Sequence, residues 1–292
     1  GAIDVADFTP DVLPADFERC LAWWSTSFTS SLRQAASNHA WGDVQNPIAD
    51  GSKVATWIDQ ISGSRLNQIV DARRPLYKTN QLNGVGGLEF DGVDDFFRAI
   101  GTFANDGSGV FYFVIKPTQT TGSNTNTALF SSQNEGTATP EIVFLHNFQS
   151  SGDNRYRFYR NEGTCNVTQS TSGHANSTPK LVRFSSNGSA HAIAYSDGAG
   201  AMTNLSLGGT GNDGTWFNYC DTATVCRHAF TVGARTNTYQ RTATTPFTPT
   251  WAGLANTFFK GLVFEVVYFS GYTAADLEIV EDEYFFAKYG AI

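Results

Sequence analysis

Two stretches of this chain are apolar on both faces of an extended strand, and that constrains the fold most. In "GVFYFVIKP", Gly109 to Pro117, strand geometry puts Val110, Tyr112 and Val114 on one face. Phe111, Phe113 and Ile115 fall on the other. "FKGLVFEVVYFS", Phe259 to Ser270, is the strongest strand of the chain, with Leu262, Phe264, Val266 and Tyr268 expected on one face. A strand with no polar face has to be covered on both sides. Shorter strand patterns surround these two: "EIVFLH", "RYRFYR", "KLVRFS", "HAIAYS" and "AFTVGAR". Turn-rich stretches such as "SSGDN", "SSNGS" and "SDGAG" separate them. Many short strands joined by Gly, Asn and Ser turns imply an all-β, two-sheet antiparallel jelly-roll sandwich.

One helix is expected, at the C-terminus. Thr273 and Asp276 form a capping box at the head of "TAADLEIVEDEYFFAKYG", and Gly290 supplies the stop. Leu277, Val280, Glu281 and Tyr284 share a side at helical spacing, and the run Glu281-Asp282-Glu283 is read as a solvated face. No composition break divides the chain, so residues 19–292 are read as one domain with long loops, preceded by an arm, 1–18. The arm is expected to dock on the domain's own sheet or on a neighbouring subunit. The first residue is Gly, from which a processed chain or a residual tag is expected.

Charge and composition exclude some partners. A net charge of −8 without clustered Lys and Arg argues against binding a nucleic-acid backbone. No apolar run is long enough for a membrane span.

Four cysteines, Cys20, Cys165, Cys220 and Cys226, fit no zinc spacing. Two disulfides are expected, Cys220–Cys226 across one loop and Cys20–Cys165 across a long one, with free buried thiols as the alternative. Four glycosylation sequons begin at Asn166, Asn176, Asn187 and Asn204. Together these point to an extracellular, cell-surface or virion-surface location.

Three blocks carry a family resemblance: "VATWIDQISGSRLNQIVDARRPLY", "LNGVGGLEFDGVDDFF" and "FKGLVFEVVYFSGYTAADLEIVEDEYFFAKYG". Within them stand Trp57, Asp59, Ser62 and Gly63; then Arg74, Pro75 and Tyr77; then Asn83, Gly84 and the F-D-G-x-D-D run from Phe90 to Asp95. Gly261, Glu265, Tyr268 and the closing Lys288-Tyr289-Gly290 complete the pattern. In these positions the chain resembles the laminin-G-like jelly rolls of the concanavalin-A-like lectin and glucanase superfamily, in the bacterial and bacteriophage subgroup. The resemblance implies that Asp91, Asp94 and Asp95 sit at a strand-to-strand turn. There they either cap backbone amides or gather calcium, which is possible but not required.

Catalysis is not expected. The E-x-D-x-E strand of laminarinase-like relatives is absent, and Glu265 stands alone between apolar neighbours, read as pinning a loop by hydrogen bonds. No nucleophile elbow occurs. The best recognition candidate is the loop "GGTGNDGTWFNYCDTATVC", where Trp216, Phe217 and Tyr219 lie beside Asp213 and Asn218. An exposed ring can stack on a sugar while short amides and carboxylates bond its hydroxyls; the alternative is that Trp216 tucks under the loop. The expected function is a non-enzymatic decoration or fibre-type subunit in an oligomeric assembly, with glycans or copies of itself as partners. A monomeric lectin-like module is the alternative, and a glycoside hydrolase relative the third reading.

Overall fold

The computed structural model describes residues 12–35, 42–43, 48–101, 107–118, 127–134, 141–149, 154–161, 165–170, 177–196, 198–208, 216, 228–235 and 257–292. Two sheets face each other, of eight and eleven strands, and every strand pairing within them is antiparallel among the described residues. This is the sandwich that the strand patterns imply.

The strand Lys260–Phe269 is the centre of the eight-stranded sheet. One of its edges pairs along its length with Gly109–Pro117. The other edge is shared: its first half pairs with Val85–Asp91 and its second half with Cys20–Ser25. The strands Lys180–Ser186 and His191–Tyr195 extend the sheet beyond Gly109–Pro117.

Two apolar layers cover the sheet's two faces. Phe111, Phe113 and Ile115 point into the space between the sheets, where they meet Phe130, Phe144, Phe158 and Phe230 of the opposite sheet. Val110, Tyr112 and Val114 point the other way, into a second layer closed by Val280, Tyr284, Phe285 and Tyr289 of the C-terminal helix. The strand apolar on both faces is thus covered on both, by a sheet and by a helix.

The expected face of the central strand needs a correction. Leu262 and Phe264 lie in the helix layer, whereas Val266 and Tyr268 lie between the sheets. The register shifts between Val263 and Glu265, a β-bulge. A bulge adds one residue to a strand, and alternation reverses beyond it. It also leaves Glu265 facing the helix.

The capping box forms as expected. Thr273 Oγ1 accepts from the Asp276 amide at 3.1 Å, and Asp276 Oδ2 accepts from the Thr273 amide at 2.7 Å. After Ala274–Ile279 the helix widens to a π-type turn over Val280–Phe286, then ends at Gly290 with φ 76°. The wide turn spaces the inward pairs Val280/Glu281 and Tyr284/Phe285 four residues apart, which keeps both over the sheet. Glu281 is therefore buried, not part of a solvated face, while Asp282 and Glu283 stay exposed.

The described part of the arm docks on its own domain. Leu13 and Phe17 pack against the helix layer, and the Phe17 ring meets Phe269 edge-on at 5.8 Å. The resemblance motifs build turns. Asp59 Oδ1 accepts from the Trp23 amide at 2.6 Å, tying the loop after Trp57 to the first strand of the sheet. Asn83 and Gly84 both take positive φ between Leu82 and Val85, the two-residue hairpin that the N-G pair predicts.

Candidate functional site

Glu265 is the polar centre of the helix layer. It is fully buried, and each carboxylate oxygen has two donors. Oε1 accepts from Trp23 Nε1 and from the Tyr284 hydroxyl. Oε2 accepts from Lys288 Nζ at 2.9 Å and from the Tyr289 hydroxyl at 2.6 Å. Lys288 also reaches Ser25 Oγ at 3.1 Å and lies 4.9 Å from the centroids of the Tyr284 and Tyr289 rings. Burial pulls the Lys288 ammonium below its ordinary value, while Glu265 pushes back. Glu265 does pin by hydrogen bonds, but it pins the helix rather than a loop.

A second polar knot lies in the same layer. Glu281 Oε1 accepts from the Tyr112 hydroxyl at 2.8 Å and pairs with Arg183, whose Nη2 donates to Asn204 Oδ1 at 2.8 Å. Of the sequon asparagines, Asn204 thus serves this knot. Asn187 Oδ1 accepts from the Ser189 and Ala190 amides, both at 2.9 Å, in its own turn. Asn166 lies on the strand Cys165–Ser170, and Asn176 is outside the described residues.

Between the arm, the end of the central strand and the helix opens a cavity of about 370 Å³. Half-exposed Phe17 and Tyr272, with the buried Phe269, supply aromatic surface. Asp16, Glu18 and Asp276 supply carboxylates, and Arg19 one guanidinium. Asp16 Oδ2 is used by the Leu13 amide and Asp276 Oδ2 by the Thr273 amide, which leaves their second oxygens open among the described residues. Aromatic faces beside short polar groups that converge on one cavity are the makings of a small-ligand site. A second cavity, about 290 Å³, opens over Trp23, Tyr77, Tyr284 and Lys288.

The sequence did not single out this first cavity. Its residues come from 16–19, from Val110 and Tyr112, and from 269–280, three segments that no periodicity links. The available signal was local: "DFER" sets two acids and an arginine around a Phe just before a strand.

The expected recognition loop is corrected. Trp216 has 0% exposure and sits between the sheets, with its ring 5.8 Å from Phe158 at 7° and 5.7 Å from Phe144 at 28°. It belongs to the core because its ring completes the aromatic stack between the sheets, and it has no face left for a sugar. Asp213, Phe217, Asn218 and Tyr219 lie outside the described residues, as do Cys220 and Cys226.

The Cys20–Cys165 bridge is corrected too. Cys20 is a free thiol in the helix layer, 5% exposed, with Sγ 3.8 Å from the Ala22 carbonyl oxygen. Cys165 is on a strand of the opposite sheet, on the far side of the face from which Cys20 points. Burial pushes the Cys20 thiol well above its ordinary value.

Asp91, Asp94 and Asp95 hold their turn together. Asp91 Oδ1 accepts from the Val93, Asp94 and Asp95 amides at 2.7, 3.2 and 3.4 Å, and Asp95 Oδ2 accepts from the Asp91 amide at 3.0 Å. One oxygen of each lies within 4.8 Å of the others, a grouping that hard cations can use, although one Asp91 oxygen is already taken by amides. Burial raises the Asp95 carboxyl to about 7, with the Asp91 and Asp94 charges adding to it. The unfolded value is about 4. The folded chain therefore keeps a proton that the unfolded chain releases. The stabilising contribution of Asp95 is full at low pH and is lost as pH rises from about 4 to about 7. Melting curves across that range should fall with rising pH, and Asp95→Asn should flatten the fall.

No protein-family model matches the chain, and no curated protein matches it. Solved structures share its fold. A mutant GH54 α-L-arabinofuranosidase soaked with 4-nitrophenyl α-L-arabinofuranoside is 16% identical, with a TM-score of 0.55, covering 96% of this chain and 65% of that one. Trypanosoma rangeli sialidase in complex with sialic acid is 12% identical, with a TM-score of 0.50, covering 95% of this chain and 36% of that one. Full-length tailspike protein 2 from an Escherichia coli O157:H7 bacteriophage is 10% identical, with a TM-score of 0.50, covering 83% and 29%. The chain thus spans less than two thirds of each. These neighbours overturn the expectation that the chain is no enzyme. Chains named as an arabinofuranosidase and a sialidase contain the same sandwich, so missing alternating acids no longer argue for an inert protein. Among the described residues no helix is long and apolar enough to cross a membrane.

Proposed function

We propose that the chain is a glycan-recognising sandwich, carried outside the cell or on a virion as part of a larger glycan-active protein. On the strength of its three sequence blocks, we assign it to the laminin-G-like jelly rolls. The observation that carries the functional reading is the cavity beside the arm, where aromatic rings and open carboxylates meet. Sugars are held by such pairings, with the ring against the C–H face and the carboxylates on the hydroxyls. The fold shared with an arabinofuranosidase and a sialidase supports the same reading. The tailspike likeness supports a virion setting, in which the chain would serve as a repeated structural subunit.

The test pairs binding with turnover. A broad glycan array should find at least one saturable ligand, and the same glycans should be followed for release of reducing sugar. Release would add catalysis to recognition. A chain that is folded yet binds no glycan and releases no sugar would end the proposal.

A further inference from the structure

We infer that the cavity between the arm and the helix takes a neutral sugar unit and rejects acidic ones. This rests on the glycan reading above and specifies its ligand. Three carboxylates, from Asp16, Glu18 and Asp276, face one guanidinium, from Arg19, a surplus of two negative charges around one opening. A sialic acid or uronic acid would bring its own carboxylate into that field, and like charges at close range repel. A neutral pentose or hexose brings only hydroxyls, which donate to carboxylates in charge-assisted hydrogen bonds.

The roles divide between two residues. Tyr272 is half-exposed at the wall and offers its ring as a stacking surface. Glu18 is exposed, and no hydrogen bond or ion pair engages it among the described residues, so both its oxygens are open to sugar hydroxyls. Asp16 and Asp276 each keep one oxygen on a backbone amide, which fixes the other in place. The cavity's volume, about 370 Å³, suits one or two sugar rings.

The experiment titrates the whole chain with neutral arabino-, xylo- and gluco-oligosaccharides and, in parallel, with sialyllactose, read by calorimetry. A neutral ligand should bind while sialyllactose does not. Tyr272→Ala should weaken that binding roughly tenfold through the lost ring. Glu18→Gln should also weaken it roughly tenfold, because it removes a charged acceptor. Both side chains are at the surface, and an unchanged circular dichroism spectrum establishes that each variant is folded. Sialyllactose bound as tightly as the neutral sugars overturns the inference and leaves the glycan reading standing. The same holds for neutral binding that neither substitution changes. No binding by any sugar overturns both.

Discussion

Glu265→Ala is expected to lower the stability of the folded chain by about 3–5 kcal/mol, the cost of removing one partner from a buried ion pair. The substitution leaves the Lys288 ammonium under the sheet with no counter-charge, and strands the Trp23, Tyr284 and Tyr289 donors. Urea titration of both chains reads the effect directly. Pairing Glu265→Leu with Lys288→Met should recover much of the loss, because a matched apolar pair has no stranded charge to desolvate. A single variant that unfolds within about 1 kcal/mol of the parent would contradict the idea that Glu265 anchors the helix.

Trp216→Ala carries the second large effect, again about 3–5 kcal/mol, from a large aromatic deleted in a packed core. The ring packs against both Phe144 and Phe158, and its loss opens a cavity between the sheets. Trp216→Phe should retain part of that stability. On the fraction that remains folded, glycan affinity should match the parent, since the ring does not reach the surface. Affinity lost while folding stays intact would return the sugar-stacking role to Trp216.

These two residues show what could be read in the sequence and what could not. Local rules held wherever the cause was local. Gly109 to Pro117 is the strand its pattern predicts, and the Thr273–Asp276 box and the Asn83–Gly84 turn form as their residue types require. The errors arose where a long-range contact decided the outcome. Trp216 sits in a polar stretch that reads as an exposed loop, yet its ring lies in the core between the sheets. Glu281 reads as one of three surface acids until Arg183, 98 residues away, is placed beside it. A one-residue bulge, invisible to periodicity, reversed the faces of half the central strand. The cavity beside the arm joins segments far apart in the chain, and its local signal was confined to the "DFER" stretch.

The position of the strand Lys260–Phe269 also sets the order in which the molecule can be made. It comes late in the chain, yet three other strands bond to it, one of them beginning at Cys20. During synthesis Cys20–Ser25, Val85–Asp91 and Gly109–Pro117 emerge first and wait with unpaired edges. Closure is then a late and highly non-local event, the kind that slows folding and exposes sheet edges meanwhile. A nascent chain stopped before residue 260 would lack the strand that joins these edges, and should be captured by chaperones or aggregate rather than persist as a partial sandwich.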